Sequence, residues 1–317
     1  MKLRGIDFGS VLGASGVQNF FGEGYPFHRF ARLLFGLRFR GMTFVAKTTT
    51  LWERLGNMPL RGTQPRELLP RCIVVRPLKG VVLNAVGLSG PGAMELLLDG
   101  RWQARTEPFM ISFMSVSEQV KDRMLELREF TRLLGRSLLC SSPWRGRIGL
   151  QVNFSCPNVG LDPAHLVDEV GEALDIASAL GIPLVPKFSV LLPVEVAREI
   201  AQHPACDAIC ISNTIPWGQL SKVIDWKGLF GSDFSPLAHL GGGGLSGRPL
   251  QRLVSGWVGC AVWNAGITKP INAGGGILSL ADAREMMDAG ASSIFLGSIA
   301  LLRPWRVRGI VRAFNRS

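Results

Sequence analysis

The chain has 317 residues, 47% of them apolar and 19% charged, a balance that supplies a sizeable core and excludes an intrinsically disordered protein. Thirty-five basic against 24 acidic side chains give a net charge of +11, a field that favours anionic ligands. The arginines are scattered apart from one cluster at Arg303, Arg306, Arg308, Arg312 and Arg316. With no basic stripe interleaved with aromatics, nucleic acid is not an expected partner.

In chain order, short apolar and β-branched runs predict strands at Val11–Ala14, Met42–Ala46, Phe109–Phe113 and Ile148–Val152, then at Pro183–Phe188, Asp207–Ile211, Thr268–Ala273 and Ser293–Leu296. Helix-period patterns lie between them at Glu118–Leu134, Ala164–Leu180, Val194–His203 and Leu280–Ala289. Pro163 and Ser279 stand near helix starts, and Gly181 and Gly290 just past helix ends. The aromatic and basic segment Phe27–Phe44 reads either as a membrane-surface helix or as the first barrel helix, with Leu33, Leu34 and Leu37 facing the core. The second reading is preferred.

Eight strand–helix units predict a parallel sheet closed into a (β/α)8 TIM barrel, one domain over residues 1–317. The stretches Leu51–Leu83 and Trp217–Gly244 exceed ordinary connections, and are expected as excursions over the C-terminal face, where such barrels build their sites.

Six cysteines, Cys72, Cys140, Cys156, Cys206, Cys210 and Cys260, form no C-x-x-C pair and no four-cysteine cluster. Five read as small core residues, and a reducing, cytoplasmic setting is expected. No signal-peptide pattern opens the chain, and no uncharged apolar run reaches the length of a membrane span.

The chemistry is concentrated directly after predicted strands. Asn153-Phe-Ser-Cys-Pro-Asn158 sets two carboxamides around Cys156 in a polar loop. Carboxamides both donate and accept, which suits the alternating edge of a pyrimidine-like ring, and a thiol there can act as nucleophile or acid/base group. Lys47-Thr-Thr-Thr supplies a cation for a carboxylate or a flavin oxygen. Asn84-Ala-Val-Gly87-Leu88, Lys187 and Asn213-Thr214 end further strands. Glycine runs at Gly241–Gly247, Gly274–Gly276 and Gly297-Ser298 fall where backbone N–H groups of this barrel usually hold phosphate. No strand–Gly-x-Gly-x-x-Gly–helix unit or Walker lysine is present, so a mononucleotide fits best.

Together these segments, from Ala14-Ser15-Gly16 to Gly297-Ser298, resemble the dihydroorotate dehydrogenase family. The Lys47…Gly56-Asn57 segment and Asn153–Asn158 carry most of the likeness. The resemblance implies FMN, with Cys156 taking a proton from C5 of dihydroorotate while hydride passes from C6 to flavin N5. It implies a substrate clamp of Lys47, Asn84, Gly87, Leu88, Asn153, Asn158, Asn213 and Thr214. Ala14, Ser15, Lys47, Thr48, Asn153 and Lys187 would contact the flavin, and Ser246, Gly247, Gly275, Gly276, Gly297 and Ser298 its phosphate. Cys156 and a short N-terminal segment point to the soluble class, whereas Gly244-Leu-Ser-Gly247 is more familiar from the membrane-bound class. The loop after Asn158 is shorter than usual for the family, and Ser112 stands where some relatives have a flavin-contacting Asn.

The implied reaction is oxidation of dihydroorotate to orotate in pyrimidine biosynthesis. A related reductase acting on another pyrimidine or cyclic amide, or a flavin-binding subunit without this activity, are the alternatives. Fumarate, a separate electron-transfer subunit leading to NAD, and a quinone remain open as acceptors. Any iron–sulfur partner would be another subunit, and a homodimer is plausible by resemblance.

Overall fold

The computed structural model describes residues 1–140, 144–154 and 163–315. Eleven strands concern the site: β1 (Val11–Gly13), β2 (Ile73–Arg76), β3 (Val81–Asn84), β4 (Phe109–Phe113), β5 (Ile148–Asn153), β6 (Leu184–Ser189), β7 (Ile209–Asn213), β8 (Ile215–Pro216), β9 (Gly244–Gly247), β10 (Ile271–Ala273) and β11 (Ser293–Leu296). The principal helices are α1 (Pro26–Phe35), α2 (Val120–Leu139), α3 (Pro163–Ser178), α4 (Val194–Gln202), α5 (Pro249–Gly259), α6 (Leu280–Asp288) and α7 (Pro304–Phe314).

Seven strands form one parallel sheet in the order β1-β11-β10-β7-β6-β5-β4. The remaining predicted run, Met42–Ala46, closes it. Thr43 N donates to Val11 O (2.9 Å) and Gly13 N to Thr43 O (2.9 Å) on one side. On the other, Ala46 N donates to Met110 O (2.9 Å) and Met110 N to Phe44 O (3.0 Å). Residues 43–49 thus bridge β1 and β4, and the eight expected strand positions are all occupied.

Successive residues of a strand face opposite sides of the sheet, and the packing follows that period. Val11, Phe109, Ile111, Leu184, Ile209 and Ile211 join the outer core against the helices, whereas Leu12, Met110, Val185 and Cys210 pack together inside the barrel. An N-terminal hairpin, Lys2–Leu3 with Ile6–Asp7, plugs the bottom by adding Leu3 and Phe8 to that interior cluster. Gly149 of β5 makes room for it: a Cβ there would lie 3.1 Å from Phe8 Cζ.

The two long excursions form a second sheet over the opposite end, antiparallel, in the order β8-β9-β3-β2. Its register sets Gly244 against Asn84 and Ser246 against Val82.

Two expectations about burial are corrected. Leu37 is buried, but Leu33 and Leu34 are 83% and 67% exposed; the buried residue of α1 is His28, which reaches the cavity wall, and not its leucines. Cys140 is exposed just past the end of α2, while Cys72, Cys206 and Cys210 are buried. Cys156 lies outside the described residues.

The outer core is densely aromatic, with Phe113 of β4 and Phe130 of α2 stacked at 4.0 Å between ring centroids, both fully buried. Phe130→Ala should therefore lower stability by about 3–5 kcal/mol, read as a shift in chemical denaturation. A loss below about 1 kcal/mol would mean that this layer does not hold the helix to the barrel.

Candidate active site

Moving two residues along a strand keeps a side chain on the same face and raises it by roughly 7 Å. The barrel interior changes character over that one step. Above Leu12, Val45, Met110, Val185 and Cys210 stand Ala14, Lys47, Ser112, Lys187 and Ser212, and Asn153 follows Gln151 on β5. An apolar floor gives way to a polar layer at the C-terminal end of the strands.

That layer opens into a cavity of about 980 Å³, within the range of cofactor and ligand sites. Its wall includes Ala14, Ser15, Lys47, Thr48, Asn84, Gly87, Leu88, Asn153, Lys187, Asn213, Thr214, Ser246, Gly275, Gly276, Gly297 and Ser298. Residues separated by up to 284 positions in sequence are thus gathered at one mouth. Gly247 is not part of the wall. At φ +108°, with Gly80 O 2.2 Å from where a Cβ would sit, it instead lets β9 approach β3 closely. Asn158 and Cys156 lie outside the described residues.

Two lysines set the electrostatics. Lys187 is 5% exposed, sits beside Asn153 in the β6–β5 register, and places its ammonium 5.3 Å from the centre of the Phe295 ring. Burial pushes its pKa down, with only the neighbouring Cys210 acting in the other direction. Lys47 is 6% exposed and lies 4.7 Å over the Phe20 ring, donating to the Ser89 carbonyl. Burial lowers its pKa to about 7. Neither lysine forms an ion pair with a carboxylate among the described residues. Of the acids on the wall, Glu169 of α3 is held by Arg123 of α2 at 2.7 Å. The deep part of the cavity is therefore built for negative charge.

Polar groups are arranged around these cations. Asn213 Nδ2 donates to Asn153 Oδ1 at 2.8 Å, and Asn84 Nδ2 to Gly244 O at 3.3 Å. Ser15 and Thr48 hydroxyls meet at 2.6 Å, and Thr48 and Ser112 at 2.9 Å, giving a continuous hydroxyl chain. Ser112 thereby supports Thr48. The Asn84–Leu88 loop is held from the excursion: Asn57 N donates to Val86 O (2.9 Å) and Asn57 Nδ2 to Ala85 O (2.7 Å). At the far end, the backbone N–H groups of Gly275, Gly276, Gly297 and Ser298 donate to no other described residue, leaving donors for an anion.

Sequence reasoning missed Tyr25 and Ser212, both on the wall. Burial raises the Tyr25 phenol pKa well above its ordinary value, so it stays a neutral hydroxyl. Ser212 was hidden by the adjacent Asn213, but the two-residue period from Cys210 identifies it.

A family model for dihydroorotate dehydrogenase matches residues 39–316. The chain is 30% identical over 309 residues to "Dihydroorotate dehydrogenase B (NAD(+)), catalytic subunit" of Desulforudis audaxviator, covering 93% of this chain and 83% of the relative. It is 28% identical to the protein of the same name in Caldicellulosiruptor bescii, covering 81% and 75%. Among solved structures, DHODH from Eimeria tenella in complex with ferulenol superposes with a TM-score of 0.65 at 20% identity, over 99% of this chain and 84% of that one, which shows the shared barrel fold. The matched span contains every wall residue from Lys47 onward, and the chain belongs to the dihydroorotate dehydrogenase family of flavin-dependent oxidoreductases.

Proposed function

We propose that this chain, acting as a single FMN-binding domain in the cytoplasm, oxidises (S)-dihydroorotate to orotate in de novo pyrimidine biosynthesis. The observation that carries the reading is the pair of buried lysines without carboxylate partners, Lys47 and Lys187, in a wall that also presents Asn84, Asn153 and Asn213. A carboxylate-bearing cyclic imide has the charge and the alternating donor–acceptor edge that such a wall matches.

The cavity suits FMN. The free N–H groups of Gly275, Gly276, Gly297 and Ser298, with Ser246 on the same wall, would hold the phosphate. Ala14, Ser15 and Thr48 would line the ring, and Lys187 would stand near its N1/O2 edge, where its buried charge favours an electron-rich flavin. When bound, the flavin supplies the acceptor for the hydride that leaves C6 of the substrate. Gly247 acts one step back, by positioning β9.

Cys156, three residues beyond Asn153, would remove the C5 proton. Lys47 would bind the substrate carboxylate, with Asn84, Gly87, Leu88, Asn153, Asn158, Asn213 and Thr214 fixing the ring edges. The names of the relatives support a catalytic subunit whose electrons reach NAD⁺ through a separate protein, and we favour that acceptor over fumarate or a quinone. A homodimer remains part of the proposal.

Cys156→Ala should retain the flavin yet slow its reduction by about 10²–10⁴-fold. Reduction at the wild-type rate in stopped-flow absorbance would remove Cys156 from the mechanism.

Lys47 gives a pH test. Burial favours its neutral form, so the free protein loses this proton near pH 7. A bound carboxylate favours the charged form and raises the pKa, so binding takes up a proton above pH 7. Orotate affinity, measured by calorimetry, should be level below pH 7 and fall about tenfold per pH unit just above it. Lys47→Met should bind weakly with a flat profile. A flat profile in the wild type would contradict the role of Lys47.

A further inference from the structure

The surface formed by α1 and α7 lies outside the chemistry described so far. On α1, Phe30, Leu33 and Leu34 follow the i, i+3, i+4 spacing of a single helix face, and all three point to solvent at 55%, 83% and 67% exposure. Phe35, 48% exposed, meets Trp305 of α7 at 5.6 Å between rings, and Trp305 is itself 48% exposed. Apolar side chains are therefore clustered outward on a helix whose other side carries Phe27 and His28 at the cavity wall.

Within the two chain segments that form this face every charge is positive. Residues 24–52 and 289–315 contain no Asp or Glu. Arg29 and Arg32 flank the stripe on α1, and Arg303 and Arg306 stand beside Trp305. Between the chain after α1 and the side of α7 lies a cleft of about 430 Å³, lined by Arg38, Arg40, Arg308 and Arg312 together with Val311 and Asn315. Asn315 Nδ2 donates to Gly41 O (2.7 Å), joining the two sides. No ion pair with a carboxylate satisfies any of these four guanidiniums among the described residues.

Four exposed arginines lining one cleft supply the charge and the donors that a phosphate group requires. An outward apolar stripe rimmed by arginine and tryptophan matches the boundary between headgroups and acyl chains. The two features share one face. We propose that this face docks peripherally on an anionic phospholipid bilayer, with Phe30, Leu33, Leu34 and Trp305 at the acyl boundary and the arginine cleft taking a lipid phosphate. No helix among the described residues is long and apolar enough to cross a membrane, so the contact is a surface one.

The test is flotation of the full chain with vesicles of phosphatidylcholine containing one-third phosphatidylglycerol, against vesicles of phosphatidylcholine alone. Binding is expected to the anionic vesicles only, weakening with added salt. Since each surface arginine contributes about fivefold to such binding, the quadruple variant Arg38→Gln, Arg40→Gln, Arg308→Gln, Arg312→Gln should lose at least about a hundredfold in affinity. Leu33→Ser with Leu34→Ser, both at exposed positions that folding does not need, should lose at least about tenfold. An unchanged melting temperature in both variants keeps the comparison valid. The proposal is overturned by absence of binding to the anionic vesicles, by binding that survives both sets of substitutions, or by self-association of the chain that Leu33→Ser with Leu34→Ser abolishes while vesicles remain unbound.

Discussion

A closed parallel sheet allows each strand only two faces, and that two-residue period decides everything placed inside this barrel. Leu12, Val45, Met110, Val185 and Cys210 fill the lower interior with Leu3 and Phe8 beneath them. The next interior position on each strand is then obliged to point into the mouth. Lys47, Ser112, Lys187 and Ser212 occupy those positions, with Asn153 reaching the same level on β5. Their burial is a consequence of closure, which the hydrogen bonds of residues 43–46 to both β1 and β4 complete.

Burial in turn creates the chemistry. An ammonium group removed from water with no carboxylate beside it is held in a high-energy state. The lowered pKa of Lys47 and of Lys187 expresses that cost. An anionic ligand, as proposed, would relieve it and draw binding energy from that cost. The second sheet adds Asn84 and Ser246 from above, and Asn57 fixes the loop between them and Lys47. Catalytic power in such a site comes from positioned charge and donors, while the redox step belongs to the cofactor.

Much of this was readable in the sequence because barrel strands are short, β-branched and immediately followed by their functional residues. Asn153, Lys187 and Asn213 each stand at the end of such a run, and all three line the cavity. Residues whose position depends on packing were not readable. Leu33 and Leu34 have the spacing of a core stripe, and a sequence does not say which side of a helix meets the barrel; the arginines around them were the better guide. Gly247 sits among glycines of the phosphate type, yet its positive φ serves the approach of two strands. Cys140 follows a helix-period pattern but falls past its last turn, where burial ends. Tyr25 reaches the cavity from a loop that carries no motif at all.

In the proposed reaction dihydroorotate delivers its electrons to a flavin held in this cavity, and anaerobic mixing of the purified, FMN-loaded protein with (S)-dihydroorotate tests that directly. Rapid bleaching of the flavin absorbance, with one orotate formed per flavin reduced, is the predicted result. A flavin that stays oxidised in the presence of saturating dihydroorotate would contradict the account and leave the lysines and carboxamides to a different anionic ring.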